Sequence, residues 1–125
     1  MQQQLTVFNV NNWKPKDLAD YLLANYTVEI PVSAETPEDL KRIGTLLGTL
    51  SNSYSFVMSL LMYAKVNIRE CRRQGEKTLV DDAIDRKNVL EDFVSILKMQ
   101  YSAVSRLISA RQQAAEEMKM MGEGR

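Results

Sequence analysis

The sequence predicts a mainly α-helical protein built on one long antiparallel helical hairpin, with helices at about residues 37–74 and 79–120. Apolar residues recur at alternating spacings of three and four over both ranges, which is typical of helices that pack along a seam. Residues that favour helix ends flank each range, and the connection at residues 74–77 is too short for any arrangement but an antiparallel one. An uncharged stretch inside the first helix further predicts an oligomeric bundle.

The first predicted helix starts at a capping pattern and ends at a glycine. Thr36 suits the N-cap, Pro37 the first helical position, and Asp39 the reciprocal acid of a capping box. Gly75 suits the left-handed position that follows a helix. The apolar seam of this helix consists of Leu40, Ile43, Leu47, Leu50, Tyr54, Val57, Leu61, Ala64, Ile68 and Cys71.

The second predicted helix restarts the same pattern after the turn, with Thr78 and Asp81 as its capping pair. Its seam consists of Ala83, Lys87, Leu90, Val94, Leu97, Tyr101, Val104, Ile108, Arg111, Ala115 and Met118. At about 1.5 Å per residue, each arm of the hairpin is roughly 50–60 Å long. Lys87 and Arg111 fall on the seam, so each needs an ion-pair partner, a route to solvent or a bound anion.

Residues 1–35 are predicted to form an arm on the single domain 1–125, of which residues 36–121 are the hairpin. A short helix follows Pro15, with Leu18 and Leu22 on its apolar face. On either side of it, residues 5–10 and 27–32 are rich in β-branched residues and predict one or two short extended segments. Pro31 confines the second segment to a sheet edge or an extended arm.

Composition restricts the class of protein. The 125 residues carry 16 basic and 16 acidic side chains, and this zero net charge argues against a general attraction to nucleic acid or membranes. The chain has no histidine and one cysteine, Cys71, so we expect no disulfide, no metal site, no cofactor and no activated nucleophile. No secretory signal pattern opens the sequence. These features predict a protein without enzymatic activity in the reducing cytoplasm of its host cell.

Residues 43–64 contain no charged side chain, and three interpretations of this stretch remain open. A membrane-spanning helix has the right length, but serine, threonine and asparagine occur throughout the stretch. An amphipathic helix with a neutral solvent face is the second interpretation. The third, burial against other copies, is favoured by large apolar residues off the seam: Leu46, Phe56, Met58, Leu60 and Met62. A row of small residues predicts close helix packing or the floor of a ligand site: Gly44, Gly48, Ser51, Ser55 and Ser59.

A basic group on the second helix predicts an anion-binding site. No acid occurs from residue 93 to residue 115, whereas Lys98, Arg106 and Arg111 do. Folding the hairpin about residue 76 brings both arginines near residues 42–47, where their planar forks suit a phosphate. The other members of the predicted site are Ser105, Ser109 and Gln112 on the second helix, and Gly44, Thr45 and Gly48 on the first. The alternative is an ion pair of the arginines with Glu38 or Asp39.

A second basic patch is predicted at the tip of the hairpin, and it comprises Lys65, Arg69, Arg72, Arg73, Lys77, Arg86 and Lys87. Acids are interspersed among these residues, so one interpretation is a solvated tip with surface ion pairs to Glu70 and Asp82. The other interpretation is contact with the phosphates of single-stranded DNA.

A pattern over residues 40–120 resembles the small helical-hairpin early and accessory proteins of tailed phages and prophages. It is carried by Tyr63, Lys65, Arg69, Arg72, Gly75, Lys77, Leu90, Glu91, Tyr101, Ser105, Arg106 and Gln112. The resemblance implies a non-catalytic homo-oligomer that sequesters an anionic nucleotide signal or blocks a host defence protein. Similarity to recombination mediators implies a single-stranded-DNA-binding accessory protein instead, and a structural coiled-coil assembly factor is the third hypothesis. The acidic residues before position 40 and the zero net charge favour the nucleotide over DNA.

Overall fold

The computed structural model describes residues 9–123, with side chains to residue 119, and three α-helices account for most of this range. Helix α1 covers Pro15–Tyr26, α2 covers Pro37–Gln74, and α3 covers Lys77–Glu123, while Val10–Asn12 form a 3-10 turn ahead of α1. The prediction of a mainly helical chain is confirmed.

The predicted extended segments are not seen as strands. No residue between 9 and 123 lies in a β-strand, and residues 27–36 link α1 to α2 without regular secondary structure. Residues 5–8 of the first predicted segment lie outside the described residues, and Val10 belongs to the 3-10 turn. Two hydrogen bonds join the linker to α3. The Val28 N–H donates to Gln100 Oε1 at 3.2 Å, and Gln100 Nε2 donates to the Val28 carbonyl at 3.2 Å.

Both ends of α2 follow the local signals in the sequence. The Asp39 N–H donates to Thr36 Oγ1 at 3.1 Å, and the Thr36 N–H donates to Asp39 Oδ2 at 3.1 Å, which completes a capping box. At the other end, Gly75 adopts φ +77°, and its N–H donates to the Cys71 and Arg72 carbonyls. This left-handed conformation carries little strain only for glycine, so a larger residue there is unfavourable.

The capping carboxylate predicts a pH dependence of stability. Backbone N–H groups of Glu35 and Thr36 hold the pKa of Asp39 below its ordinary value. A carboxyl with a lowered folded-state pKa stabilises the fold above its unfolded-state pKa, and this stabilisation is lost as the pH falls through the folded-state pKa. We therefore expect Asp39→Asn to lower the melting temperature at pH 7, and the difference from wild type to close on acidification below a pH of about 4.

Thermal unfolding followed by circular dichroism from pH 2 to pH 7 measures this difference. Glu38→Gln is the matched control, because it removes the neighbouring charge from a side chain with no described hydrogen bond. A difference between Asp39→Asn and wild type that stays constant over this pH range contradicts the assignment.

Helix α3 begins earlier than predicted. Thr78 is not its N-cap, because the helix starts at Lys77 and the Val80 N–H already donates to the Glu76 carbonyl at 3.2 Å. The turn consists of only Gly75 and Glu76. Since Gly75 alone closes α2, the chain can enter the next helix directly, which leaves Thr78 inside the first turn. The far end also extends beyond the predicted residue 120, to Glu123.

Helices α2 and α3 pack antiparallel along the two predicted seams. Asn67 meets Arg86 and Tyr54 meets Lys98, so the contacts move forward along α3 as they move back along α2. The buried part of the seam comprises Ile43, Leu50, Val57, Leu61, Ala64, Ile68 and Cys71 on α2, with Ala83, Leu90, Val94, Leu97 and Val104 on α3. Ala115 and Met118 are exposed because α3, with 47 residues, outruns α2, with 38.

The segment before α2 covers one side of this helix pair. Leu18 and Leu22 of α1 are fully buried and share a core with Val10 and Phe93. Four of the five large apolar residues assigned to an oligomer interface are covered within the chain: Leu60 is buried, and Leu46, Phe56 and Met58 are partly buried against the core. Tyr26 stacks on Phe56 at 5.3 Å between ring centroids. Met62 alone of the five stays exposed, at 69%.

The opposite side of the pair carries no covering segment in the described part of the chain. We call it the open face, and it is formed by Gly44, Gly48, Ser51, Ser55, Met62 and Val66 on α2 with Lys98, Tyr101 and Ser102 on α3. These α2 residues fall within a narrow stripe, because their spacings repeat close to whole helical turns.

Candidate functional site

The two arginines of the predicted anion site point to different sides of α3. Arg106 and Arg111 are five residues apart, which is about 140° around a helix. Arg106 lines a shallow groove with Ile30, and its Nε donates to the Ser102 carbonyl at 3.3 Å. Arg111 is half-buried beside the linker, where it lines another groove with Glu35.

The other members of that predicted site do not join either arginine in a described groove. Gly44, Thr45 and Gly48 are exposed, and a Cβ built on either glycine meets no described atom within 4 Å outside the backbone of its own helix. Thr45 Oγ1 donates to the Lys41 carbonyl of its own helix at 3.2 Å. Ser105 lies on α3 three residues after Ser102 and is half-buried. Ser109 and Gln112 lie further along α3 and are exposed. The residues assigned to one site are therefore spread along and around the helix pair.

The tip cations are exposed and have no carboxylate within 4.0 Å in the described part of the chain. They comprise Lys65, Arg69, Arg72, Arg73 and Lys77. The ion pairs between described residues are Arg42–Asp39 at 4.0 Å and Lys87–Glu91 at 3.4 Å. The expected ion pairs of the tip with Glu70 and Asp82 are thus not formed, and neither is the expected pairing of Arg106 or Arg111 with Glu38 or Asp39.

Arg86 does not belong to the exposed basic patch. Its side chain is buried, with 8% exposed, because it reaches under the 3-10 turn. Nη1 donates to the Trp13 carbonyl at 3.2 Å and Nη2 donates to Asn67 Oδ1 at 3.1 Å, while Nε is buried and meets no acceptor among the described residues. This arginine ties the 3-10 turn to both long helices, which is a structural role.

A groove on the open face brings together chemistry that the sequence did not indicate. It lies between α2 and α3 at mid-length, has a volume of about 490 Å³, and is lined by Leu50, Ser51, Tyr54, Ser55, Leu97, Lys98, Tyr101 and Ser102. Lys98 Nζ lies 6.0 Å from the centroid of the Tyr54 ring. Leu50 and Leu97 are buried and form the floor, while Tyr101 is 43% exposed at the rim.

The electrostatics of this groove favour an anion. Lys98 is its single charged residue, and the nearest carboxylates along α3 are Asp92 on one side and Glu116 on the other. Three serine hydroxyls supply neutral donors, and two tyrosines supply flat apolar surfaces. The serines have no histidine to activate them, since the chain contains none, so the arrangement is suited to binding.

A repeated pattern in the sequence could have identified this groove. Ser51-x-x-Tyr54-Ser55 on α2 and Lys98-x-x-Tyr101-Ser102 on α3 each place a Tyr-Ser pair three and four residues after a polar side chain. The antiparallel packing brings these two runs to one level. Sequence reasoning assigned both tyrosines to the apolar seams and the α2 serines to a row of small residues, so the match between the helices was missed.

No protein-family model matches the chain, and no curated protein or solved structure matches it either. Between residues 9 and 123, no helix combines the length and the apolar character that crossing a bilayer requires. Within the same range, no three Cys, Asp or Glu side chains come together as potential metal ligands. The residues of the groove are therefore the basis for a functional assignment.

Proposed function

We propose that this protein is a non-catalytic binding protein that takes a small anionic ligand with a flat aromatic part into the groove on its open face. A nucleoside monophosphate or a cyclic nucleotide has this chemistry. The observation that carries the proposal is Lys98, the single charged residue of a groove that two tyrosines and three serines also line, with its Nζ 6.0 Å from the Tyr54 ring centroid.

Each group in the groove has a place in this binding mode. The Lys98 ammonium contacts the phosphate, and a charge-assisted hydrogen bond of this kind is worth about 1.5–3 kcal/mol. Ser51, Ser55 and Ser102 donate to the remaining phosphate or sugar oxygens. The base stacks on an aromatic ring, for which Tyr101 at the rim is the accessible one, and such stacking contributes about 1–3 kcal/mol. The volume of about 490 Å³ is typical of small-ligand sites.

The biological role that fits this site is sequestration of a nucleotide signal by a homo-oligomer in the cytoplasm of a phage-infected cell. Arg106 lines a neighbouring groove that shares Lys98 and Ser102 with the groove on the open face. Its positive charge therefore adds to that of Lys98. Arg111 lies on the far side beside Glu35 and takes no part.

Isothermal titration calorimetry with adenosine monophosphate, cyclic AMP, adenosine and inorganic phosphate tests the proposal. We expect a nucleotide to bind and Lys98→Met to weaken its binding by about 10- to 100-fold, the equivalent of the lost charged hydrogen bond. Lys119→Met is the matched control, since Lys119 is an exposed lysine near the end of the same helix. Adenosine binding as tightly as its monophosphate contradicts an anion site, and no binding by any nucleotide overturns the proposal.

A second candidate function is supported by the five exposed tip cations, which form no ion pair with any described carboxylate and suit the phosphates of single-stranded DNA. An oligothymidylate added to the same panel separates the two functions. Tip binding weakens steeply as salt is raised and is unaffected by Lys98→Met, whereas groove binding depends on Lys98.

A further inference from the structure

The open face exposes apolar surface next to unfilled space. Met62 is 69% exposed and Val66 is 46% exposed, and both lie on the same stripe of α2 as Gly44 and Gly48. Apart from the backbone of α2 itself, no described atom lies within 4 Å of a Cβ built on either glycine. The bulky residues and the gaps thus lie at opposite ends of one helical stripe, so they cannot fill each other within one chain.

The spacing of these residues is symmetric about Ser55. Gly44 and Gly48 precede Ser55 by eleven and seven residues, and Met62 and Val66 follow it by seven and eleven. A second copy of α2, turned end to end about Ser55, places its Met62 on Gly48 and its Val66 on Gly44. A glycine lets another chain approach closely, so the space beside each glycine of one copy accommodates an apolar side chain of the other. The same contacts form again with the two copies exchanged.

The size and charge of the face suit a stable dimer. The uncharged stretch of residues 43–64 is about 33 Å long, and a helix pair is about 20 Å wide, which gives roughly 1,300 Å² buried over two copies. Specific interfaces bury about 1,200–2,000 Å². Between Gly44 and Val66 the charge on α2 is that of exposed Lys65, at one end of the contact, and Lys98 is the single cation that α3 contributes to the groove.

We propose that the open face is the docking surface for a second copy of this chain, with the two α2 helices antiparallel and crossing at Ser55. The dimer does not depend on the proposed function. Only one consequence rests on the proposed function. The second copy covers the groove, so that a bound anion lies between the Lys98 side chains of the two copies and stabilises the dimer.

Analytical ultracentrifugation of the ligand-free protein over a range of concentrations tests the interface. We expect a dimer, and we expect Met62→Glu to raise its dissociation constant at least about 100-fold, because an unpaired carboxylate of each copy is then buried against Gly48 of the other. Met118→Glu is the matched control: Met118 is 69% exposed, like Met62, but lies where α3 extends beyond the end of α2, away from the open face. A monomer at every concentration, or a dimer that tolerates Met62→Glu, overturns the proposal.

A cross-linking experiment tests the orientation. Ser55→Cys should form a disulfide between the two copies under mild oxidation, because a residue on the symmetry axis lies close to its own counterpart. Thr49→Cys, on the same helix but turned away from the open face, should remain uncross-linked. Equal cross-linking of both variants contradicts the crossing at Ser55. A dimer that binds no nucleotide contradicts the proposed function alone, and nucleotide binding by a monomer contradicts this inference alone.

Discussion

Leu90→Ala is expected to lower the free energy of unfolding by about 2–5 kcal/mol, the range seen when a buried leucine is truncated in a packed core. Leu90 is fully buried at the level where α2, α3 and the segment before α2 share one core. Truncation there removes apolar contacts and leaves a cavity, and the straight helices on either side cannot move inward far enough to fill it.

Urea unfolding followed by circular dichroism measures this loss from the shift of the transition midpoint. Leu79→Ala provides the comparison, because Leu79 is a leucine of the same helix that is 38% exposed, and its truncation should change stability by less than about 0.5 kcal/mol. Equal effects of the two substitutions are incompatible with the described packing of α3.

Arg86→Ala should have the next largest effect, a loss of about 1–3 kcal/mol together with release of the 3-10 turn. The substitution removes the Arg86 donors of the Trp13 carbonyl and of Asn67 Oδ1, and leaves Asn67 Oδ1 with only the weak thiol donor of Cys71. It also removes an aliphatic stem that packs between the turn and α3. Because the turn contacts the rest of the protein through few residues, it should detach before the long helices unfold.

Hydrogen exchange measured by mass spectrometry distinguishes this local release from global unfolding. Peptides containing residues 10–14 should exchange faster in Arg86→Ala, while peptides from the middle of α3 keep their protection. Arg73→Ala, at an exposed tip residue, should leave both regions unchanged. Unaltered exchange of the turn in Arg86→Ala contradicts the tethering role.

The long helices could be predicted because their signals are local. Thr36, Asp39 and Gly75 define the ends of α2 through contacts that span at most four residues. The spacing of apolar residues also indicates which stripe is buried, since burial of one stripe is what holds two such helices together. These signals do not depend on what the rest of the chain does.

The predictions that depended on distant contacts were less successful. Arg86 was assigned to an exposed patch because its neighbours in sequence are charged, whereas its hydrogen-bond partner Trp13 is 73 residues away. Phe56 and Leu60 were assigned to an oligomer because a two-helix hairpin cannot cover them, and the covering segment was not placed on that side. Arg106 and Arg111 were paired by their level along the hairpin, which ignores their separation around the helix.

Two hydrogen-bonded contacts between distant parts of the chain affect the order in which the protein can fold while it is being synthesised. Trp13 meets Arg86 and Val28 meets Gln100, at separations of 73 and 72 residues. A growing chain presents Leu18 and Leu22 long before the ribosome has made the α3 residues that bury them. The segment before α2 therefore cannot reach its folded packing until α3 has been synthesised.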